Sequence, residues 1–131
     1  IYPDVKVSLR AGYLMREETP RYYIHGTEGS FVKHGLDPQE ELLKTGAIPA
    51  GADWGKEPES EWGILNTNIQ GLHCRGKIET LPGNYMAFYD DIHRSLTQHT
   101  RPQTDAASVL PVIRIIEAAF ESSRRGEVIR L

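Results

Sequence analysis

The chain has 131 residues, of which 15 are Lys or Arg and 18 are Asp or Glu, for a formal net charge of −3. That is one ordinary domain's length, too short for a nucleotide-binding domain plus a substrate domain of usual size. With 39% hydrophobic and 25% charged residues, the composition excludes disorder, and the interspersed charge excludes the clustered basic surface that nucleic acid requires.

The chain opens on Tyr2-Pro3-Asp4, which reads as a turn, with no initiator Met. A turn at the very start suggests a piece of a longer protein. Residues 5–14 then alternate, with Val5, Val7, Leu9, Ala11 and Tyr13 against Lys6, Ser8 and Arg10, the pattern of a half-buried strand. Two short β-prone runs follow, Arg21 to His25 and Ser30 to His34, joined by Gly26-Thr27-Glu28-Gly29. Glycine at both ends of a short polar loop predicts a hairpin that uses positive φ at those glycines.

Asp37-Pro38-Gln39-Glu40 predicts a short helix with Asp37 as cap, Pro38 in the first turn and Glu40 completing a capping box, ended by Gly46. Residues 47–61 form a long connection dense in Gly, Pro and charge. Strand-like runs resume at 62–67 and 71–81, the second alternating through Leu72, Cys74, Gly76 and Ile78. Two helices carry the remaining apolar mass. In the first, Tyr85, Phe88, Tyr89, Ile92 and Leu96 make one stripe. The second runs from about Asp105 to Arg124, capped by Thr104, with Val109, Val112, Ile113, Ile116, Ala119 and Phe120 on its buried side. Pro111 either kinks it or delays its regular start. Gly126 stops it, and residues 127–131 read as a closing strand.

This order predicts an α+β fold: one domain over residues 1–131, with an open, largely antiparallel (mixed) sheet of about six strands, two long helices on one face and one short helix. The other sheet face, with Tyr, Leu and Ile among its expected residues, meets water or a second copy of the chain. The stretch from Val109 to Phe120 falls far short of the roughly 20 apolar residues that span a bilayer, and no secretory signal is visible. A single Cys74 suits a reducing compartment, so the expected location is cytoplasmic.

Chemistry is sparsely written. No Gly-x-Gly occurs, so no dinucleotide or phosphate loop can be argued, and the five histidines have no metal-ligand spacing. Cys74 is expected as a small buried thiol beside Leu72 and Ile78. Asp90 and His93 are three apart on a helix and could hydrogen-bond as an acid/base pair, the basis of a small-hydrolase reading, although such pairs are mostly solvated surface charge. The best local candidates for substrate contact are Trp54 and Trp62, whose rings could stack on a sugar or polyol beside neighbouring charges. The same indoles could instead pin a long loop to the domain. Lys33, His34 and Asp37 lie near the mouth of that region.

Taken in order, Tyr22-Tyr23-Ile24-His25-Gly26-Thr27-Glu28-Gly29-Ser30-Phe31, Asn84-Tyr85 with Phe88-Tyr89-Asp90-Asp91-Ile92, Ile115-Ile116-Glu117-Ala118-Ala119 and Ser122-Ser123 to Val128 resemble the C-terminal domain of the Gfo/Idh/MocA oxidoreductases. The segment from Ser30 to Glu40 further resembles a bacterial subgroup. The resemblance implies a two-domain parent, whose N-terminal Rossmann domain holds NAD or NADP while this domain supplies part of the substrate pocket and the dimer contact. It implies hydride transfer to or from a sugar or cyclitol. The family's Glu-Lys-Pro lysine and its Asp and His separated by three residues have no counterpart here, so no catalytic, cofactor-binding or metal-binding residue carries over. The expected substrate-binding residues are Lys33, His34, Trp54 and Trp62, and the fragment alone is expected to be inactive. A free-standing α+β module for ligand binding or dimerisation is the alternative.

Overall fold

The computed structural model describes residues 4–131. The chain divides into two units, residues 4–83 with all of the strands and residues 84–131 with the two long helices.

In the first unit, β1 (Tyr22–His25) and β2 (Gly29–Lys33) pair antiparallel with His25 opposite Ser30. The Gly26 N–H donates to the Gly29 carbonyl at 2.8 Å to close the loop. Neither glycine takes positive φ, against expectation. Gly29 is required for a different reason: a Cβ there would lie 2.7 Å from the Asn66 carbonyl oxygen of the neighbouring strand. β3 (Gly63–Ile69) and β4 (Leu72–Ile78) form a second hairpin. Its two turn residues, Gln70 at φ 51° and Gly71 at φ 83°, are both left-handed, the backbone of the tight turn that matches strand twist.

The sheet has four strands in the order β1-β2-β3-β4, every neighbouring pair antiparallel. The open, largely antiparallel sheet is as expected, but it has four strands among the described residues rather than about six. Residues 5–14 and 127–131 carry no strand. Alternation encodes which side of a strand would be apolar, but a strand exists only where its backbone groups find a ladder, and these runs find none among the described residues. Register sorts the sheet's side chains. Ile24, Phe31, Leu65, Ile69, Leu72, Cys74 and Ile78 lie on one face; Tyr23, His25, Ser30, Asn66, Asn68, His73, Arg75 and Lys77 lie on the other, with Val32 and Ile64.

Helix α1 (Gln39–Lys44) starts one residue later than expected, with Pro38 rather than Asp37 at the cap position, although Asp37 Oδ1 accepts the Gln39 N–H at 2.9 Å. Glu40 forms no capping box and pairs with Lys44 at 2.9 Å instead. At the other end Ala47 N–H donates to the Leu42 carbonyl and Gly46 N–H to the Leu43 carbonyl, with Gly46 at φ 83°. That is the glycine stop that satisfies the last carbonyls of a helix.

In the second unit, α2 (Tyr85–Gln98) is capped by Asn84, whose side chain accepts the Ala87 N–H at 3.1 Å. α3 (Ala106–Arg125) is capped by Asp105, not Thr104, through a capping box with Ser108. The helix is continuous through Pro111, which has no N–H to give the ladder and so removes one backbone bond from its second turn. Gly126 ends it at φ 66°. Among the described residues no apolar side chain is buried, Ile92 being 39% exposed and Phe120 69%, which corrects the expected buried side of the last helix. An amphipathic stripe states what must be covered, not what covers it. The buried side chains are polar: Lys33 and Gln39.

Candidate functional site

The connection from β2 to β3, residues 34–62, is held by two polar clusters. Strand alternation turns Lys33, the last residue of β2, to the same side as Phe31. Its ammonium donates to the His34 carbonyl at 2.7 Å, to Glu57 Oε1 at 3.0 Å and to the Glu61 carbonyl at 2.7 Å. A lysine has three N–H donors, so all are committed. Glu57 Oε2 also lies 2.9 Å from Nζ, with the two side chains 7% and 9% exposed, yet receives no hydrogen bond. It is charge-compensated without a donor.

A short 3₁₀ turn over Glu59–Glu61, with the Glu61 N–H on the Pro58 carbonyl at 2.9 Å, carries the Glu61 carbonyl to Lys33. Trp62 follows, its indole N–H directed at the Glu57 carbonyl at 3.4 Å. Next in the chain, Gly63 lies under the Phe31 ring with no room for a side chain.

The second cluster centres on Gln39, which is fully buried. Its Nε2 donates to both Asp37 carboxylate oxygens at 3.0 and 3.1 Å, and its Oε1 accepts the Trp54 indole N–H at 2.9 Å. A Cβ on Gly55 would meet the Gln39 side chain at 3.2 Å, and one on Gly83 would strike Asp37 Oδ2. Nearby, a 2.6 Å hydrogen bond between Lys56 and Asp53 holds the Asp53 carboxyl below the usual range and the Lys56 ammonium above it.

The structure thus brings Lys33, His34 and Trp62 into one cluster and places Trp54 in the other with Asp37. Both indoles are half-buried with their N–H groups spent on Gln39 and Glu57, residues of the connection itself, and their ring faces are what they have left to offer. His34 is exposed. Glu57 and Gln39 were not anticipated, because in a polar loop a buried Glu or Gln has the same letter as a solvated one. The available signal was the glycines at 55 and 63, each of which makes room for a neighbour.

Elsewhere the expectations fare unevenly. Asp91, not Asp90, is the engaged carboxylate of α2, accepting the Gln103 N–H at 2.8 Å and pairing with Arg94 at 3.4 Å. Cys74 is exposed rather than buried, as are Leu72 and Ile78 on the same face of β4. His73 bonds Asn66 at 2.8 Å beside an open polar depression of about 300 Å³ that also includes Ser30 and Asn68. Among the described residues no group of three His, Cys, Asp or Glu could hold a metal, and no helix is long and apolar enough to cross a membrane.

A nicotinamide dinucleotide does not fit the described residues. The sheet is wholly antiparallel, with no βαβ crossover, and the N-termini of both long helices, where a pyrophosphate would sit, are closed by the chain's own Asn84 and Asp105.

An antiparallel sheet with its long helices set apart in sequence defines an α+β domain. The chain belongs to the Gfo/Idh/MocA oxidoreductase family: the model of that family's C-terminal alpha/beta domain matches residues 3–131. It is 37% identical over 133 residues to scyllo-inositol 2-dehydrogenase (NADP(+)) IolW of Bacillus subtilis, covering 99% of this chain and 36% of that protein. Oxidoreductase YdgJ of Escherichia coli is also 37% identical, over 94% of this chain and 35% of its own length. Among solved structures, an oxidoreductase from Bacteroides fragilis superposes with a TM-score of 0.83 at 46% identity, over 91% of this chain and 35% of that one. YvaA from Bacillus subtilis superposes at 0.86 with 35% identity, over 92% and 35%. The chain spans about a third of the length of these relatives.

Proposed function

We propose that this chain is the substrate-side and oligomer-forming domain of a two-domain oxidoreductase that moves a hydride between NAD or NADP and a sugar or polyol, and that it is inactive alone. The coenzyme belongs to an N-terminal Rossmann domain, and the enzyme works in the cytoplasm, where the exposed Cys74 stays reduced. His34, Trp54 and Trp62 line the substrate pocket, and Lys33, whose three donors are spent within the chain, holds the connection without reaching it. The polyol assignment draws on the name of the relative from Bacillus subtilis.

One observation carries the reading. The loop between β2 and β3 is fixed by a buried ion pair and a buried amide while its two indole faces are only half-buried. Flat, rigid aromatic faces beside polar groups suit the C–H faces and hydroxyls of a polyol. Full-length protein with NADP(+) and, in turn, scyllo-inositol, myo-inositol and glucose should show coenzyme reduction with at least one of them. Failure with every polyol and with both coenzymes would end this reading. The 131-residue chain by itself should show no NAD(H) or NADP(H) binding in calorimetry, and a measurable affinity would contradict the division of labour.

A further inference from the structure

We infer that Lys33 and Glu57 are positioning residues: they set the tryptophan-bearing connection to the geometry in which it receives the polyol, without either touching it. This rests on the substrate-side reading above and deepens it.

Three observations point the same way. Lys33 is 7% exposed and its three donors end on groups of this chain, so it has none to give a ligand. The three acceptors sit at both ends of the connection, with His34 at its start and Glu57 and Glu61 at its close. The ammonium therefore ties the exit of β2 to the entry of β3. Trp62 is bound to the same node through the Glu57 carbonyl, so its ring orientation follows the position of Glu57. An ordinary surface lysine holds one partner in water. A nine-tenths buried cation that ties both ends of a 34–62 connection sets the geometry of everything between them.

Charge also selects the pair. Burial of an ammonium is tolerated only beside an opposite charge, which Glu57 supplies at 2.9 Å. An arginine at position 33 would keep the charge, but its planar fork cannot direct three donors along the directions an ammonium reaches. A glutamine at 57 keeps the shape and one acceptor while removing the charge.

The test compares wild type with Glu57→Gln and Lys33→Arg, both chosen to keep the site polar and filled. Trp54 and Trp62 are the only tryptophans in the chain, so acrylamide quenching of the 131-residue chain reports on the connection itself, and far-UV circular dichroism confirms the fold of each variant. In the full-length enzyme, steady-state kinetics with NADP(+) and the polyols named above separate binding from chemistry. Expected are increased quenching in both variants, a KM for polyol raised about tenfold or more, and an unchanged KM for coenzyme with kcat nearly intact. A general structural defect would instead move kcat and coenzyme KM together. Unchanged quenching in both variants overturns the inference, as does increased quenching with an unchanged polyol KM. If wild type turns over no polyol, the substrate-side reading falls and with it the polyol role of the pair, while quenching still decides whether Lys33 holds the connection.

Discussion

Lys33 shows how far a single letter is from its role. In sequence it is one of 15 basic residues; in the structure it is 7% exposed against a Glu57 carboxylate. Removing one member of a buried pair leaves the other charged and uncompensated, which costs about 3–5 kcal/mol. Lys33→Met should therefore lower the unfolding free energy of the chain, read from urea denaturation, by that margin. The double change Lys33→Met with Glu57→Leu should recover part of it, because no buried charge is left uncompensated, while the His34 and Glu61 carbonyls still lose the donor that Lys33 supplied. Equal losses in single and double variants would contradict this account. Gly63 is the steric counterpart: a methyl group there meets the Phe31 ring, and overpacking of this kind costs about 1–3 kcal/mol. Gly63→Ala should show it in the same denaturation experiment, whereas Gly46→Ala would act through backbone strain at φ 83°.

Helix α3 makes its own prediction. The Asp105 carboxyl accepts the Ser108 N–H at 2.8 Å and pairs with Arg101, whose Nε lies 2.7 Å away. Those contacts hold its pKa below the usual carboxylate value, the backbone hydrogen bond first and Arg101 second. A carboxyl whose folded pKa is lowered contributes stability in full above its unfolded pKa of about 4, and loses it as pH falls through the folded value. The first turn of α3 should thus fray on acidification below that range, visible as accelerated exchange of the Ser108 amide, and Asp105→Ala should abolish the pH dependence. The elements were mostly legible because their signals are local. The β1–β2 hairpin, the glycine stop of α1, and both long helices follow from residues within a few positions of one another. What was not legible depends on distance. Residues 5–14 have the letters of a strand without the ladder, and the partnership of Lys33 with Glu57 spans 24 positions through a loop with no periodicity to read. Gln70-Gly71 was missed as a turn because Gln rarely takes the left-handed conformation that it adopts here at φ 51°.

For the whole molecule, one sheet face carries Tyr22, Ile24, Ile69, Leu72 and Ile78, each exposed, the Tyr, Leu and Ile expected of a face left open. A homo-oligomer formed through it would be joined chiefly by apolar burial. Light scattering after size exclusion should show a dimer or higher species of the full-length protein. Ile69→Asp with Leu72→Asp, which places four like charges across a two-fold contact, should convert it to monomer. A monomeric wild type at high concentration would refute this mode of assembly.

The strand order also fixes how the polypeptide gets there. β1 with β2 and β3 with β4 are each neighbours in sequence, so two hairpins can zip within microseconds. The central β2–β3 pairing must first draw together the ends of residues 34–62, an entropic toll that grows with loop length. Acquisition of the native sheet is therefore paced by that single closure. Pulsed hydrogen exchange should find the amides of β4 protected before those shared between β2 and β3.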